Sequence, residues 1–373
     1  MNSTIWINSR FLTRPVSGVE RVAGETVREL ALAFRETGGL WEIAGERYEL
    51  KLIAPAASDQ ALVRRRAELI GLEVVFCGRR GGHLWEQLEL PLFVGRNWLI
   101  NLCNTAPAFK KRQLVFIHDA GVWAIPHCYT RAFRTWYRAL FRLLSWRGVG
   151  LLTNSAFSAS ELARYLNTSL ARLNVAQLGT DHMTRAVVPA DALKRLSLSD
   201  APFLLAVSSQ NPNKNFALIE QALVQLGDAA PACVVVGQAR SDVFSNSETQ
   251  TSALHYCGYV SDDELKGLID RAICLIYPSF YEGFGLPPLE AMARGCPVIS
   301  SNTSALPETC GDAALYCDPS DSGSLASAIR MVVENPDIRD RMIERGRARA
   351  ASYRWVNTAA AIRCAVERRV LST

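Results

Sequence analysis

"ICLIYPSFYEGFGLPPLEAMARGCPVISS", residues 273–301, decides the fold. Its first seven residues are almost wholly apolar and of strand length, and "PVISS" closes the stretch with a second such run. Between them a glycine-rich turn, "YEGFG", leads into the helical "LPPLEAMAR". Pro287 and Pro288 suit a first helical turn, and Gly295 can end the helix. Strand, helix and strand in so short a span form a parallel βαβ unit, with ligand-binding residues expected just after the first strand. Two carboxylates, Glu282 and Glu290, flank the helix start.

The same alternation extends in both directions. Strands are expected at 4–10, 48–54, 72–77, 97–102, 113–118, 148–153 and 173–178, and a first helix opens at "SGVE", where Ser17 and Glu20 form a capping-box pattern. The polar, weakly periodic run "GTDHMTRAVVPADALKRLSLSDAP", 179–202, reads as a connector. A second series follows: "FLLAVSS", "ACVVVG", "HYCGYV", "ICLIYPS", "PVISS" and "AALYCD". The expectation is an α/β chain of two Rossmann-like, parallel-sheet domains facing a cleft. An N-terminal domain at 1–180, a linker at 181–201 and a C-terminal domain at 202–355 precede a helix at 356–373 that can cross back to the first domain.

Composition narrows the function. The 373 residues are 49% hydrophobic and carry a net charge of +5, enough core for two domains but no strong polycation that would require nucleic acid. The mild positive charge suits an anionic ligand or an anionic membrane surface. No apolar run reaches the roughly eighteen residues of a membrane span, and the N-terminus reads as a strand, so a cytoplasmic protein is expected. The ten cysteines form no CxxC pair and mostly sit in strand-like runs, as reduced core thiols do. No GxGxxG follows a strand, and no P-loop is present. A phosphate would then be held at a helix N-terminus preceded by glycine.

Around residues 282–290 these features combine. Gly283 and Gly285 permit close ligand approach, and the start of the helix at Leu286 offers amide hydrogens and partial positive charge to a diphosphate. Glu282 before that start and Glu290 within the first turns can each accept hydrogen bonds from a sugar. Such an arrangement fits a nucleotide sugar, with ribose at one end and the transferred sugar at the other.

The full string "EGFGLPPLEAMARGCPV" resembles the E-x7-E segment of retaining glycosyltransferases of the GT-B group, family four. The likeness covers nearly the whole chain: "INSRFLTRPVSGVERVAGE", "VFIHDAGVWAIP", "LTNSAFSASEL", "VSSQNPNKNFALIEQAL", "CGYVSDDEL" and "NTSALPETCGDAALYCDP" are similar to successive family segments. Bacterial exopolysaccharide and O-antigen mannosyltransferases are the members it most resembles. The resemblance implies catalytic roles for His118, Glu282 and Lys214. Glu290 would bind the ribose, Glu282 the transferred sugar, and the amides of Gly283, Phe284, Gly285 and Leu286 the sugar and diphosphate. Lys214 would place its ammonium on the diphosphate, Tyr259 and Val260 would meet the base, and Ser17 with Gly18 would form an acceptor or phosphate loop. Ser208 stands where many members have a donor-binding arginine, and Asn213 where a further cation is common.

The resemblance also implies transfer of a hexose, with mannose from GDP-mannose favoured over UDP-glucose or another donor, to a lipid-linked or free saccharide. No metal and no cofactor are expected: Asp262 and Asp263 are better read as part of a helix start capped by Ser261 and Glu264. A noncatalytic nucleotide-sugar-binding subunit and a sugar-nucleotide epimerase are the competing classes. Residues 131–148, "RAFRTWYRALFRLLSWRG", place Arg131, Arg134, Arg138 and Arg142 on one helical face among aromatics. That pattern suits either a domain helix with a solvated arginine face or an interfacial helix on anionic lipid at the inner membrane.

Overall fold

The computed structural model describes residues 3–43, 45–185, 193, 196, 201–207, 211–237 and 254–372. The chain divides into two compact units. Residues 1–123, 129–179 and 354–373 make the first; 124–128 and 180–353 make the second.

The first unit is built on an eight-stranded sheet. Its strands are β1 (Ser3–Asn8), β2 (Trp41–Ile43), β3 (Glu46–Pro55), β4 (Val74–Cys77), β5 (Trp98–Asn101), β6 (Gln113–Phe116), β7 (Gly150–Thr153) and β8 (Leu173–Val175). The order runs β2-β3-β1-β5-β6-β7-β8, and β4 also pairs with β3. One long strand serves both neighbours: the start of β3 pairs antiparallel with β2 (Trp41 opposite Tyr48), and its end pairs parallel with β4 (Leu52 opposite Val74). The other pairings are parallel, so the intervening helices must cover the sheet faces. The Trp355–Leu371 helix belongs to this unit. Thr358 Oγ1 donates to the Gln177 carbonyl at 2.5 Å and Arg369 Nη2 to that of Gly148 at 2.6 Å, while Trp355 is fully buried.

The second unit holds a six-stranded, all-parallel sheet in the order β11-β10-β9-β12-β13-β14. Its strands are β9 (Phe203–Val207), β10 (Ala232–Val236), β11 (Leu254–Gly258), β12 (Ala272–Tyr277), β13 (Val298–Ser301) and β14 (Ala314–Cys317). This is the doubly wound order in which strand direction of travel reverses between β9 and β12, leaving a crevice at their carboxyl ends. Leu204, Ile219, Cys233, Cys274, Ile276 and Ile329 pack its core. All ten cysteines are free thiols, six of them buried.

Three local expectations change. The Gly18–Glu36 helix forms, but Ser17 makes no backbone cap; its hydroxyl donates instead to the Glu20 carboxylate. The reciprocal capping box does form at Ser261 and Glu264. Residues 181–183, read as linker, make a 3-10 turn in the second unit, where the Thr180 amide donates to the Tyr353 carbonyl. In the Arg131–Trp146 helix, Leu140, Phe141 and Leu144 face the core, but the arginine face is not simply solvated: Arg138 Nε donates to the Val122 carbonyl and the Arg142 guanidinium lies 5.9 Å from the Trp123 ring.

Candidate active site

The loop after β12 enters the crevice between β9 and β12, and side chains from neighbouring loops fix its path. Asn213 Nδ2 donates to the Tyr281 carbonyl at 2.5 Å, and Asn215 Nδ2 to that of Pro278 at 3.1 Å. The Glu282 amide donates to Ser304 Oγ at 2.9 Å, and Thr309 Oγ1 to the Phe284 carbonyl at 2.6 Å. A loop whose carbonyls and amides are consumed this way holds its shape before any ligand arrives.

Gly285 ends the loop as N-cap of the Leu286–Ala293 helix, with φ of 106°. A β-carbon there would lie 2.6 Å from Leu306 Cδ2, so both backbone and packing require glycine. Gly285→Ala is expected to cost about 1–3 kcal/mol, read as a lowered urea midpoint. The prolines fall at the second and third helical positions, which removes two amides from this end. Gly285 and Leu286 therefore carry the N–H groups that the helix start can present. An anion here meets a narrower donor set than an ordinary helix start provides.

Lys214 comes from the turn after β9. Its Nζ lies 2.6 Å from Glu282 Oε1 and 2.8 Å from the Tyr277 hydroxyl, and 4.9 Å from the centre of the Tyr277 ring. Burial pushes the ammonium toward losing its proton, but the Glu282 carboxylate and Tyr277 more than reverse this, and the group sits above the ordinary lysine range. Burial raises the Tyr277 hydroxyl as well, with Glu282 reinforcing it. Lys214 is a fixed cation at working pH.

Glu290, one face further along the helix, is buried at 5% exposure and bonded to His182 Nε2 at 2.9 Å. Nothing in the sequence singled out His182, because it lies in the run read as linker. Tyr277 was missed for another reason: as the last residue of an apolar strand it looks like core. Arg294 is committed elsewhere, to Asp270 and, at 2.7 Å, to the Met183 carbonyl. Tyr259 is 68% exposed and Val260 buried in the turn after β11. Ser208 lies outside the described residues.

In the first unit His118 follows β6. Its ring is buried, with Nε2 bonded to the Leu102 carbonyl at 2.9 Å, and its own amide donates to Asn104 Oδ1 at 2.7 Å. A nitrogen facing a carbonyl must carry the proton, which leaves Nδ1 as an acceptor in the neutral ring. Burial pushes the imidazole down to about 4, against the opposing influence of Leu102 and Glu20. The unfolded chain then binds the extra proton first, so stability should fall as pH drops from about 6.5 toward 4. His118→Gln is expected to flatten the decline in melting temperature between neutral and mildly acid pH. Ser17 and Gly18 open the Gly18–Glu36 helix, and a β-carbon at Gly18 would meet nothing within 4 Å, so packing does not demand glycine there.

A second polar cluster was not legible in the sequence. Arg10, just past β1, pairs with the fully buried Glu86 at 3.2 Å, and Glu86 also accepts from Asn8 Nδ2 and Thr105 Oγ1, each at 2.8 Å. Among the described residues no group of three or more acidic, histidine or cysteine side chains could hold a metal.

Residues 191–349 match the family described as glycosyl transferases group 1. An Escherichia coli protein named O-antigen chain mannosyltransferase B is 29% identical over 92% of this chain and 94% of its own. A Salmonella typhimurium O-antigen chain mannosyltransferase, RfbU, is 26% identical over 68% of this chain and 70% of its own. The solved structure of Anabaena HepE in complex with UDP and glucose superposes with a TM-score of 0.72 at 16% identity, covering both chains completely, a likeness of fold.

Proposed function

We propose that this chain, whose residues 191–349 match the group 1 glycosyl transferase family, transfers mannose from GDP-mannose, with retention, to a saccharide acceptor in bacterial surface polysaccharide synthesis. The names of its O-antigen relatives favour mannose. The observation that carries the reading is the spacing of charge about one helix start: Lys214 paired with Glu282 on one side, Glu290 held by His182 on the other. The diphosphate is proposed to lie between these two carboxylates, each of which can accept hydrogen bonds from sugar hydroxyls.

In this reading Glu290 takes the ribose, Glu282 the transferred sugar, and the Gly285 and Leu286 amides with Lys214 the diphosphate, while Tyr259 and Val260 border the base. His118 is assigned to the transferred sugar through Nδ1, and Ser17 with Gly18 to the acceptor side. No described side chain stands out as a covalent nucleophile, so the reaction is proposed as front-face displacement. The acceptor oxygen bonds to the anomeric carbon on the face from which the diphosphate oxygen departs. The acceptor's proton passes to that leaving oxygen, and Lys214 stabilises the charge that develops there.

The acceptor is proposed to be lipid-linked. The test offers GDP-mannose, UDP-glucose and other sugar nucleotides in parallel, with product stereochemistry followed by NMR. Retained mannosyl product that forms equally well in EDTA is the expected outcome. Inverted product, or activity lost in EDTA and restored by a divalent ion, counts against the mechanism; binding without transfer leaves a noncatalytic subunit.

A further inference from the structure

We propose that the first unit docks on an anionic lipid bilayer through a patch formed by Leu84, Leu88, Leu92, Phe109 and Trp146, rimmed by Arg96, Lys111 and Arg112. The patch does not depend on the proposed reaction. It is also not the helix at 131–148 by itself, for which an interfacial role was one of the two sequence readings.

The patch begins with a helical run, Gly82–Leu84, Trp85–Glu89 and Leu90–Val94, whose middle segment is a π turn. A π turn lengthens the repeat, so the inward residues Trp85, Leu90 and Val94 are spaced by five and then four, and all three are fully buried. The opposite side carries Leu84, Leu88 and Leu92, which are 62%, 47% and 82% exposed. The helical run thus has a satisfied core face and an outer apolar face that no described residue covers.

A neighbouring loop extends the apolar surface. Gln87 fastens it, donating to the Ala106 carbonyl and accepting from the Ala108 amide, each at 2.9 Å. Phe109 stands out of that loop, 76% exposed, and shares an open groove of ≈ 640 Å³ with Leu88 and Leu92. Arg147 Nη2 donates to the Phe109 carbonyl at 2.9 Å, and the residue before it, Trp146, is 81% exposed. At the other end His83 meets Trp136 edge to face at 5.9 Å, which brings the Arg131–Trp146 helix alongside. Isolated exposed apolar residues are ordinary; a set of large ones on adjoining elements is a docking surface.

Charge selects the occupant. Arg96, Lys111 and Arg112 line the same groove and are exposed. Among the described residues none of the three is in an ion pair. The acids of the helical run are used elsewhere: Glu86 is buried against Arg10, and Glu89 accepts from the amides of Arg79 and Arg80. The groove therefore presents apolar tips inside a cationic rim. A symmetric second copy would set those cations against their own images. An anionic headgroup layer pairs with the rim while leucine, phenylalanine and tryptophan enter the acyl boundary.

Flotation with acceptor-free vesicles tests this. Full-length protein should float with phosphatidylglycerol-containing vesicles at low salt, and far less with pure phosphatidylcholine or at high salt. Arg96→Glu with Lys111→Glu should lower the bound fraction by more than about tenfold. Leu88→Gln with Leu92→Gln should do the same while melting temperature and transfer to a water-soluble acceptor stay unchanged. Wild-type protein that fails to float, or variants that float equally well, would overturn the proposal. So would a dimer in light scattering that these substitutions dissociate.

Discussion

Lys214→Met lowers kcat for sugar transfer by about 10²–10³, measured with saturating donor. The expectation follows from the scarcity of cations around the diphosphate position. The turn at 211–215 and the loop at 277–286 contain no other lysine or arginine, and Arg294 is bound to Asp270 and the Met183 carbonyl. Removing the ammonium also strands Glu282, whose side chain is 14% exposed, so a stability loss of about 1–3 kcal/mol accompanies the rate effect after allowance for solvent screening. The double variant Lys214→Met with Glu282→Gln separates the two. It should regain most of the stability and none of the activity. A single variant that keeps its rate would show that the leaving group is stabilised elsewhere. Because the lysine is held above its ordinary range, its contribution to stability is fully present below about pH 10.4 and is lost only as pH rises through the higher folded value. Any loss of activity on the acid side of that limit belongs to other groups.

The second sheet was legible because a parallel strand buried on both faces writes itself as an unbroken apolar run, as "ICLIYPS" does. Gly285, Pro287 and Pro288 were legible because their constraints are local to the backbone. The three-residue β2 was not: so short an antiparallel edge has no period to read. Ser17 and Glu20 have the capping spacing, yet the hydroxyl reaches the carboxylate directly, a choice between two partners at the same distance in sequence. Glu86 sits in "HLWEQLEL", where the π turn shifts the helical register and turns an acid inward toward Arg10, a partner 76 positions earlier in the chain. The roles of Lys214 and Glu282 could be named separately. Their pairing could not, since contact between loops 68 residues apart is a tertiary fact.

His182→Ala raises the donor KM about tenfold and leaves kcat nearly unchanged, whereas Glu290→Gln raises it by about 10- to 100-fold, the range for a hydrogen bond to a charged acceptor. Glu290 Oε1 is bonded to His182 Nε2 at 2.9 Å, which restrains the carboxylate's rotation. Removing the imidazole frees that rotation and opens a space in a site where both side chains are nearly buried. If Glu290 holds the ribose, the bond is the same in ground state and transition state, so its loss appears in binding rather than in the chemical step. His182→Gln, which can still donate, should recover much of the affinity. Calorimetric titration with GDP reads the same difference without turnover and separates ribose binding from any effect on the transferred sugar. The 3-10 turn carrying His182 is held in turn by Arg294 Nη1 on the Met183 carbonyl. Arg294→Ala should therefore weaken GDP binding in the same direction and less strongly. A His182→Ala variant that loses kcat at unchanged KM would instead place Glu290 at the reacting carbon and reverse the two glutamates' roles.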